Sequence, residues 1–139
     1  MLRGFATISL FADDVEAAGA WYAELLGIEP YFARPEAGPP MYLEFRVGDH
    51  EHELGIIDRR FAPHKNLEPS GAVTYWHVDD LTATLATLES MGATIHEPRT
   101  PRGDTGFVTA SVVDPFGNIL GVMYNPHYVS MLEGKGPNV

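Results

Sequence analysis

Apolar and polar residues alternate from Phe5 to Phe11 (FATISLF) and again from Val73 to Val78 (VTYWHV). A period of two is that of a strand with one covered face. Each run ends at a pair of aspartates, Asp13-Asp14 and Asp79-Asp80. The spacing then changes to steps of three and four. Val15, Ala18, Tyr22, Leu25 and Leu26 line one predicted helix, and Leu81, Leu85, Leu88 and Met91 line another. An aspartate before the first turn and a glycine after the last, here Gly27 and Gly92, are the expected limits of such helices.

Each helix is followed by strand signals in the same order. Ile28 to Phe32 and Ala93 to His96 are short candidates. Two hairpins come next. Met41 to Val47 turns at Gly48-Asp49-His50-Glu51 into His52 to Ile57, and Phe107 to Val113 turns at Asp114-Pro115-Phe116-Gly117 into Asn118 to Tyr124. Asp, Pro and Gly suit those turns for backbone reasons. The chain therefore reads as α+β, with two tandem βαβββ modules set 66 residues apart (Asp79 against Asp13). The expected plan is a single domain over 1–139, with module one at 3–59, a linker at 60–71, module two at 72–126 and a tail at 127–139. The tail is expected to be loose from Glu133 onward.

Composition narrows the function. The 139 residues are enough for one domain with a real core, and 45% are hydrophobic. Nine basic against nineteen acidic residues give a net charge of −10, which argues against nucleic acid and against anionic membrane surfaces. There is no cysteine, so thiolate zinc sites, disulfides and thiol nucleophiles are excluded. No apolar run approaches the roughly 20 residues of a membrane span. Met1 to Ala12 reads as a strand rather than a signal peptide, and the expected location is cytoplasmic. No phosphate loop, dinucleotide fingerprint, serine elbow or HExxH helix is present.

Trp21-Tyr22-Ala23-Glu24-Leu25-Leu26-Gly27 closing the first helix, and Asp114-Pro115-Phe116-Gly117-Asn118 in the last hairpin, stand at matching places of a duplicated unit. With that order of elements, the chain resembles the glyoxalase/bleomycin-resistance/dioxygenase (vicinal oxygen chelate) superfamily over roughly Arg3 to Pro126. The resemblance implies paired modules forming a pseudo-two-fold curved mixed sheet around a cleft. In metal-dependent members it implies a divalent ion in that cleft, held by side chains of each first and each last strand. Carried over residue by residue, the first-strand positions fall on Thr7 and Val73. The last-strand positions fall on Gly55 (Glu53 if the register slips by two) and Gly121. Valine and glycine offer no side-chain ligand, and a neutral threonine hydroxyl is a weak one.

Alternation extends the expected cleft wall. Thr7, Ser9 and Phe11 share a face, as do Val73, Tyr75 and His77, then Gly121 and Met123, and Tyr42, Glu44 and Arg46. In strand four the set with Glu53, Gly55 and Ile57 is favoured over His52, Leu54 and Ile56. These residues form the expected binding surface for a small organic molecule, with no cofactor predicted. His77 is the candidate base, because imidazole titrates near neutrality. Its structural alternative is a hydrogen-bonded histidine beside Asp79. A divalent metal on displaced ligands, with His52, Glu53 and His77, is the alternative chemistry, and His50 and His52 form a same-face pair. Arg34, Glu36, Arg99, Arg102 and Asp104 read as loop charges that could gate a cleft. Tyr75, Phe107, Phe116 and Tyr124 read as core or wall. A homodimer is the expected partner arrangement.

Overall fold

A computed structural model describes residues 1–3, 5–63 and 68–134. The chain divides into two compact units, Met1–Leu67 and Glu68–Val139. Residues 64–67 of the expected linker and 135–139 of the expected tail lie outside the described residues.

The first unit runs β1 (Thr7–Ala12), α1 (Val15–Leu26), β2 (Phe32–Arg34), β3 (Tyr42–Val47) and β4 (His52–Asp58), with a 3-10 turn at Arg59–Phe61. Its four strands order β1-β4-β3-β2, with β1 parallel to β4 and the rest antiparallel. The Asp14 carboxylate caps α1 by accepting from Ala17 N–H at 2.9 Å. Gly27 ends the helix at φ 69°, a left-handed conformation that glycine adopts without steric cost. Val15, Ala18 and Tyr22 bury against the sheet face made by Leu43, Phe45, Val47, Leu54 and Ile56. That side is the core of the unit.

The second unit repeats the plan with β5 (Thr74–His77), α2 (Leu81–Ser90), β6 (Thr94–Pro101), β7 (Val108–Val113) and β8 (Ile119–Tyr124), in the order β5-β8-β7-β6. The Asp80 carboxylate caps α2 by accepting from Ala83 N–H at 2.9 Å, the counterpart of the Asp14 cap. Leu81, Leu85 and Leu88 cover Ala110, Val112, Leu120 and Val122. The turn after β7 is held by one buried carboxylate. Asp114 Oδ1 accepts from Phe116 N–H and Asn118 N–H at 2.9 and 2.8 Å, and its Oδ2 accepts from the Asn118 side-chain amide at 3.0 Å.

Three elements differ from expectation. The second strand is not Ile28 to Phe32 but Phe32–Arg34, because pairing with β3 starts at Phe32↔Glu44 and Pro30 has no N–H to donate. The strand expected at Ala93 to His96 continues to Pro101, through two register shifts. Pro98 and Pro101 do not stop it because β6 is an edge strand, with one side of its backbone unpaired. Arg99 therefore lies in a strand and not in a gating loop. Finally, a helix not expected from the sequence, α3 (Pro126–Leu132), spans the end of the expected module two and the start of the expected tail, capped by the Asn125 side chain accepting from His127 N–H and Tyr128 N–H. Among the described residues no helix is long and apolar enough to cross a membrane.

Candidate functional site

Strand pairing fixes which side chains share the sheet face opposite each helix. In unit one the register makes three rows: Thr7, Glu53 and Arg46; then Ser9, Gly55, Glu44 and Phe32; then Phe11, Ile57, Tyr42 and Arg34. Thr7, Ser9, Phe11, Tyr42, Glu44, Arg46 and Gly55 are thus brought to one face. Glu53 joins them, so the favoured register of strand four is the one found.

Glu44 is the polar centre of that face. Its Oε1 accepts from the Tyr42 hydroxyl at 2.8 Å, and its Oε2 accepts from Tyr31. Glu53 lies in the neighbouring row, and the Arg46 guanidinium lies 4.3 Å from the Tyr31 ring centroid. Burial pushes the Glu44 carboxyl up, but the hydrogen bonds from Tyr31 and Tyr42 and the Arg46 charge outweigh it and hold the group below its ordinary value. The phenols move the other way. The hydrogen bond to Glu44 raises Tyr31, while burial and then Glu44 raise Tyr42. Glu44 is therefore a fixed, ionised acceptor at neutral pH. A carboxylate has about four acceptor positions, so capacity remains for a donor on a bound molecule. Phe32, 6.0 Å from the Tyr42 ring centroid, and Arg34, 4.0 Å above Phe32, extend the surface.

In unit two the corresponding rows are Tyr75, Gly121, Ser111 and Glu97, then His77, Met123, Thr109 and Thr100. Val73 sits one residue before β5. His77 is almost covered, its side chain 8% exposed. Nδ1 accepts from Asn125 N–H at 3.0 Å, and Nε2 is 3.3 Å from Asp79 Oδ1. The ring stacks on Tyr128 at 4.7 Å and lies 5.3 Å from Tyr124. Both nitrogens are engaged, and the imidazole ties β5 to the start of α3. This is the hydrogen-bonded arrangement weighed above as the structural alternative to a base.

The positions carried over as metal ligands do not fit a divalent ion. Thr7 is exposed. At Gly55 an added Cβ would lie 3.0 Å from the Tyr42 hydroxyl oxygen. At Gly121 it would lie 2.8 Å from the Thr74 carbonyl oxygen and 2.7 Å from the Tyr75 ring. A tyrosine ring thus occupies the space that a ligating side chain would need in each unit. The displaced set is not assembled either. His52 and Glu53 are neighbours in β4 and leave the sheet on opposite faces. His50 and His52 are exposed, with ring centroids 5.8 Å apart, and among the described residues no three His, Asp or Glu side chains converge.

Of the expected loop charges, Arg34 pairs with Glu36 at 3.2 Å, while Arg102 pairs with Glu97 at 3.5 Å and donates to Thr109 Oγ1 at 3.0 Å. Reasoning from the sequence missed Tyr31, Phe32, Thr109, Ser111, Asn125 and Tyr128. The Asn125-Pro126 pair was a readable signal, since Asn at a cap and Pro in the first turn start helices.

A sequence model of the Glyoxalase/Bleomycin resistance protein/Dioxygenase superfamily matches residues 4–122. No curated protein matches the chain. Among solved structures, a glyoxalase/bleomycin resistance protein from Catenulispora acidiphila is 25% identical, with 86% of this chain and 96% of that one covered and a TM-score of 0.58. A glyoxalase-related enzyme from Fulvimarina pelagi is 21% identical, with 91% of each chain covered and a TM-score of 0.68. Lactoylglutathione lyase from Agrobacterium tumefaciens is 20% identical, with 90% and 96% covered and a TM-score of 0.65.

Proposed function

Since the chain belongs to the Glyoxalase/Bleomycin resistance protein/Dioxygenase superfamily, we propose that it uses this fold to bind a small organic molecule, without a metal at the superfamily's usual positions. One observation carries the reading: Gly55 and Gly121 stand at the last-strand ligand positions, and each is roofed by a tyrosine ring, Tyr42 and Tyr75. Aromatic walls around a few fixed polar groups are the usual make-up of a preformed ligand site. Within unit one the Glu44 centre adds the polar part to the Tyr42 wall, a carboxylate oriented by two phenols beside a stacked guanidinium. The fold itself does not decide between binding and catalysis.

Two catalytic readings rank below this one. A base at His77 would need a free ring nitrogen, and both are engaged. A metal on displaced ligands would need His52 and Glu53 on one face, and they lie on two.

The test is elemental analysis of untagged protein purified without chelator, followed by thermal unfolding with EDTA, with added Ni, Zn, Mn or Fe(II), and with a panel of small organic molecules. The expected result is no stoichiometric metal, no response to EDTA, and a rise in Tm with at least one organic compound that shrinks in Glu44→Gln. A stoichiometric metal whose removal lowers Tm would overturn the reading.

A further inference from the structure

Every tyrosine of this chain but one is committed to a partner within the protein. Tyr31 and Tyr42 donate to Glu44. Tyr22 packs edge-on against Trp21, and Tyr124 and Tyr128 lie against His77. Tyr75 is the exception: among the described residues its side chain has no hydrogen bond, ion pair or ring contact. It is also 40% exposed, high for a large aromatic residue inside a strand.

Yet Tyr75 is not loose. It pairs with Gly121 across β5 and β8, and an ideal Cβ on that glycine would fall 2.7 and 2.9 Å from its ring atoms. Its ring is therefore seated directly on the glycine backbone, in space that any other residue at 121 would fill. One side rests on the sheet and the other is uncovered. Unit one solves the same problem differently. There the ring over the glycine is Tyr42, from β3 rather than from the first strand, and it is tied to Glu44 and set edge-on to Phe32. Unit two leaves its tyrosine unspent.

We propose that Tyr75 is a stacking shelf for a planar aromatic ring of the bound molecule. The inference rests on the small-molecule reading above and names the class of ligand. Flat rings stack in offset geometry on an aromatic face and gain more than their buried area alone supplies. A ring already held on the sheet loses little freedom when it is covered, which strengthens binding by preorganisation. The row beneath the shelf, Gly121 and Ser111, is buried, and Met123 of the next row offers a polarisable thioether to a ring edge. The net charge of −10 favours a neutral or cationic ring over an anionic one.

The experiment titrates the full chain with naphthalene-2-carboxamide and with its saturated decahydro counterpart, which keeps the amide but loses the flat ring. Binding is followed by NMR at the Tyr75 ring and the Gly121 amide. The flat compound is expected to bind and to shift both resonances through its ring current, and the saturated one to bind about tenfold more weakly. Tyr75→Phe, which keeps the ring, should bind within a few-fold of the parent, whereas Tyr75→Ala should lose about tenfold, the effect of removing one stacked ring. Circular dichroism checks that Tyr75→Ala folds. The shelf is overturned if the flat compound does not bind, if the two compounds bind equally, or if Tyr75→Ala binds as well as the parent. Shifts confined to Tyr31 and Glu44 would also overturn it while leaving the small-molecule reading standing.

Discussion

Asn125 donates its backbone N–H to Nδ1 of His77 at 3.0 Å, a bond between the first residue of the α3 cap and the last residue of β5. With the Tyr128 stack it makes His77 the anchor of α3. Removing the acceptor leaves a partly buried N–H unpaired, which costs about 1–3 kcal/mol. His77→Ala should lose that much by urea unfolding and should speed hydrogen exchange at Asn125. His77→Asn, whose side-chain oxygen can stand near the place of Nδ1, should recover part of it. Unchanged stability and unchanged exchange at Asn125 would refute the anchor.

Asp114 is 3% exposed and its carboxylate accepts from two backbone N–H groups of its own turn. Hydrogen bonds to a charged acceptor are stronger than neutral ones, and stranding two donors is worse than losing one. Asp114→Ala should cost roughly 3 kcal/mol. Asp114→Asn keeps one acceptor oxygen but turns an amide towards the Asn118 amide, so it should fall between the two. If Asn proved as harmful as Ala, the backbone contacts would not be what holds the turn.

The Glu44 cluster should show itself in two titrations. Tyr31 and Tyr42 sit above the ordinary phenol value of 10.0 because of Glu44 and, for Tyr42, chiefly because of burial. Absorbance near 295 nm should show part of the tyrosine signal ionising late, and Glu44→Gln should bring some of it earlier. At the acid end, Glu44 lies below its ordinary value of 4.5, so the folded state binds its proton less readily than the unfolded chain. Its contribution is then fully present above about pH 5 and fades as pH falls through the lowered value. The stability difference between parent and Glu44→Gln should be flat from pH 5 to 7 and shrink below 4.5. A difference that grew on acidification would contradict the sign of the shift.

Much of this architecture can be read from the sequence because periodicity and caps are local. The Asp14 and Asp80 caps, the Gly27 stop and the two hairpin turns need only nearby residues. So does the alternation that places Thr7, Ser9 and Phe11 on one face with Tyr42, Glu44 and Arg46. What the sequence hides depends on partners. Pro98 and Pro101 look like breakers until β6 is known to be an edge strand. Tyr31 lies outside any strand, and only the pairing of β2 with β3 brings its hydroxyl to Glu44. His77 looks like a free base until Asn125, 48 positions away, is seen to hold it.

Gly55 and Gly121 stand in equivalent strands and each lies under a tyrosine ring, yet they should respond differently to a methyl group. At Gly55 the obstruction is the far end of one side chain, Tyr42, with its nearest atoms 3.0 and 3.1 Å from an added Cβ. Tyr42 can tilt by a few tenths of an ångström, so Gly55→Ala should cost about 1 kcal/mol or less. At Gly121 the Thr74 carbonyl stands 2.8 Å away as well, and that oxygen belongs to the strand that pairs with β8. Relief requires β5 and β8 to separate, so Gly121→Ala should cost about 3 kcal/mol or more and expose the amides of β5 to exchange. The double variant Gly121→Ala with Tyr75→Ala separates ring from carbonyl. If the carbonyl dominates, removing the ring recovers little; if the double variant returned to parental stability, the ring alone would be the obstruction.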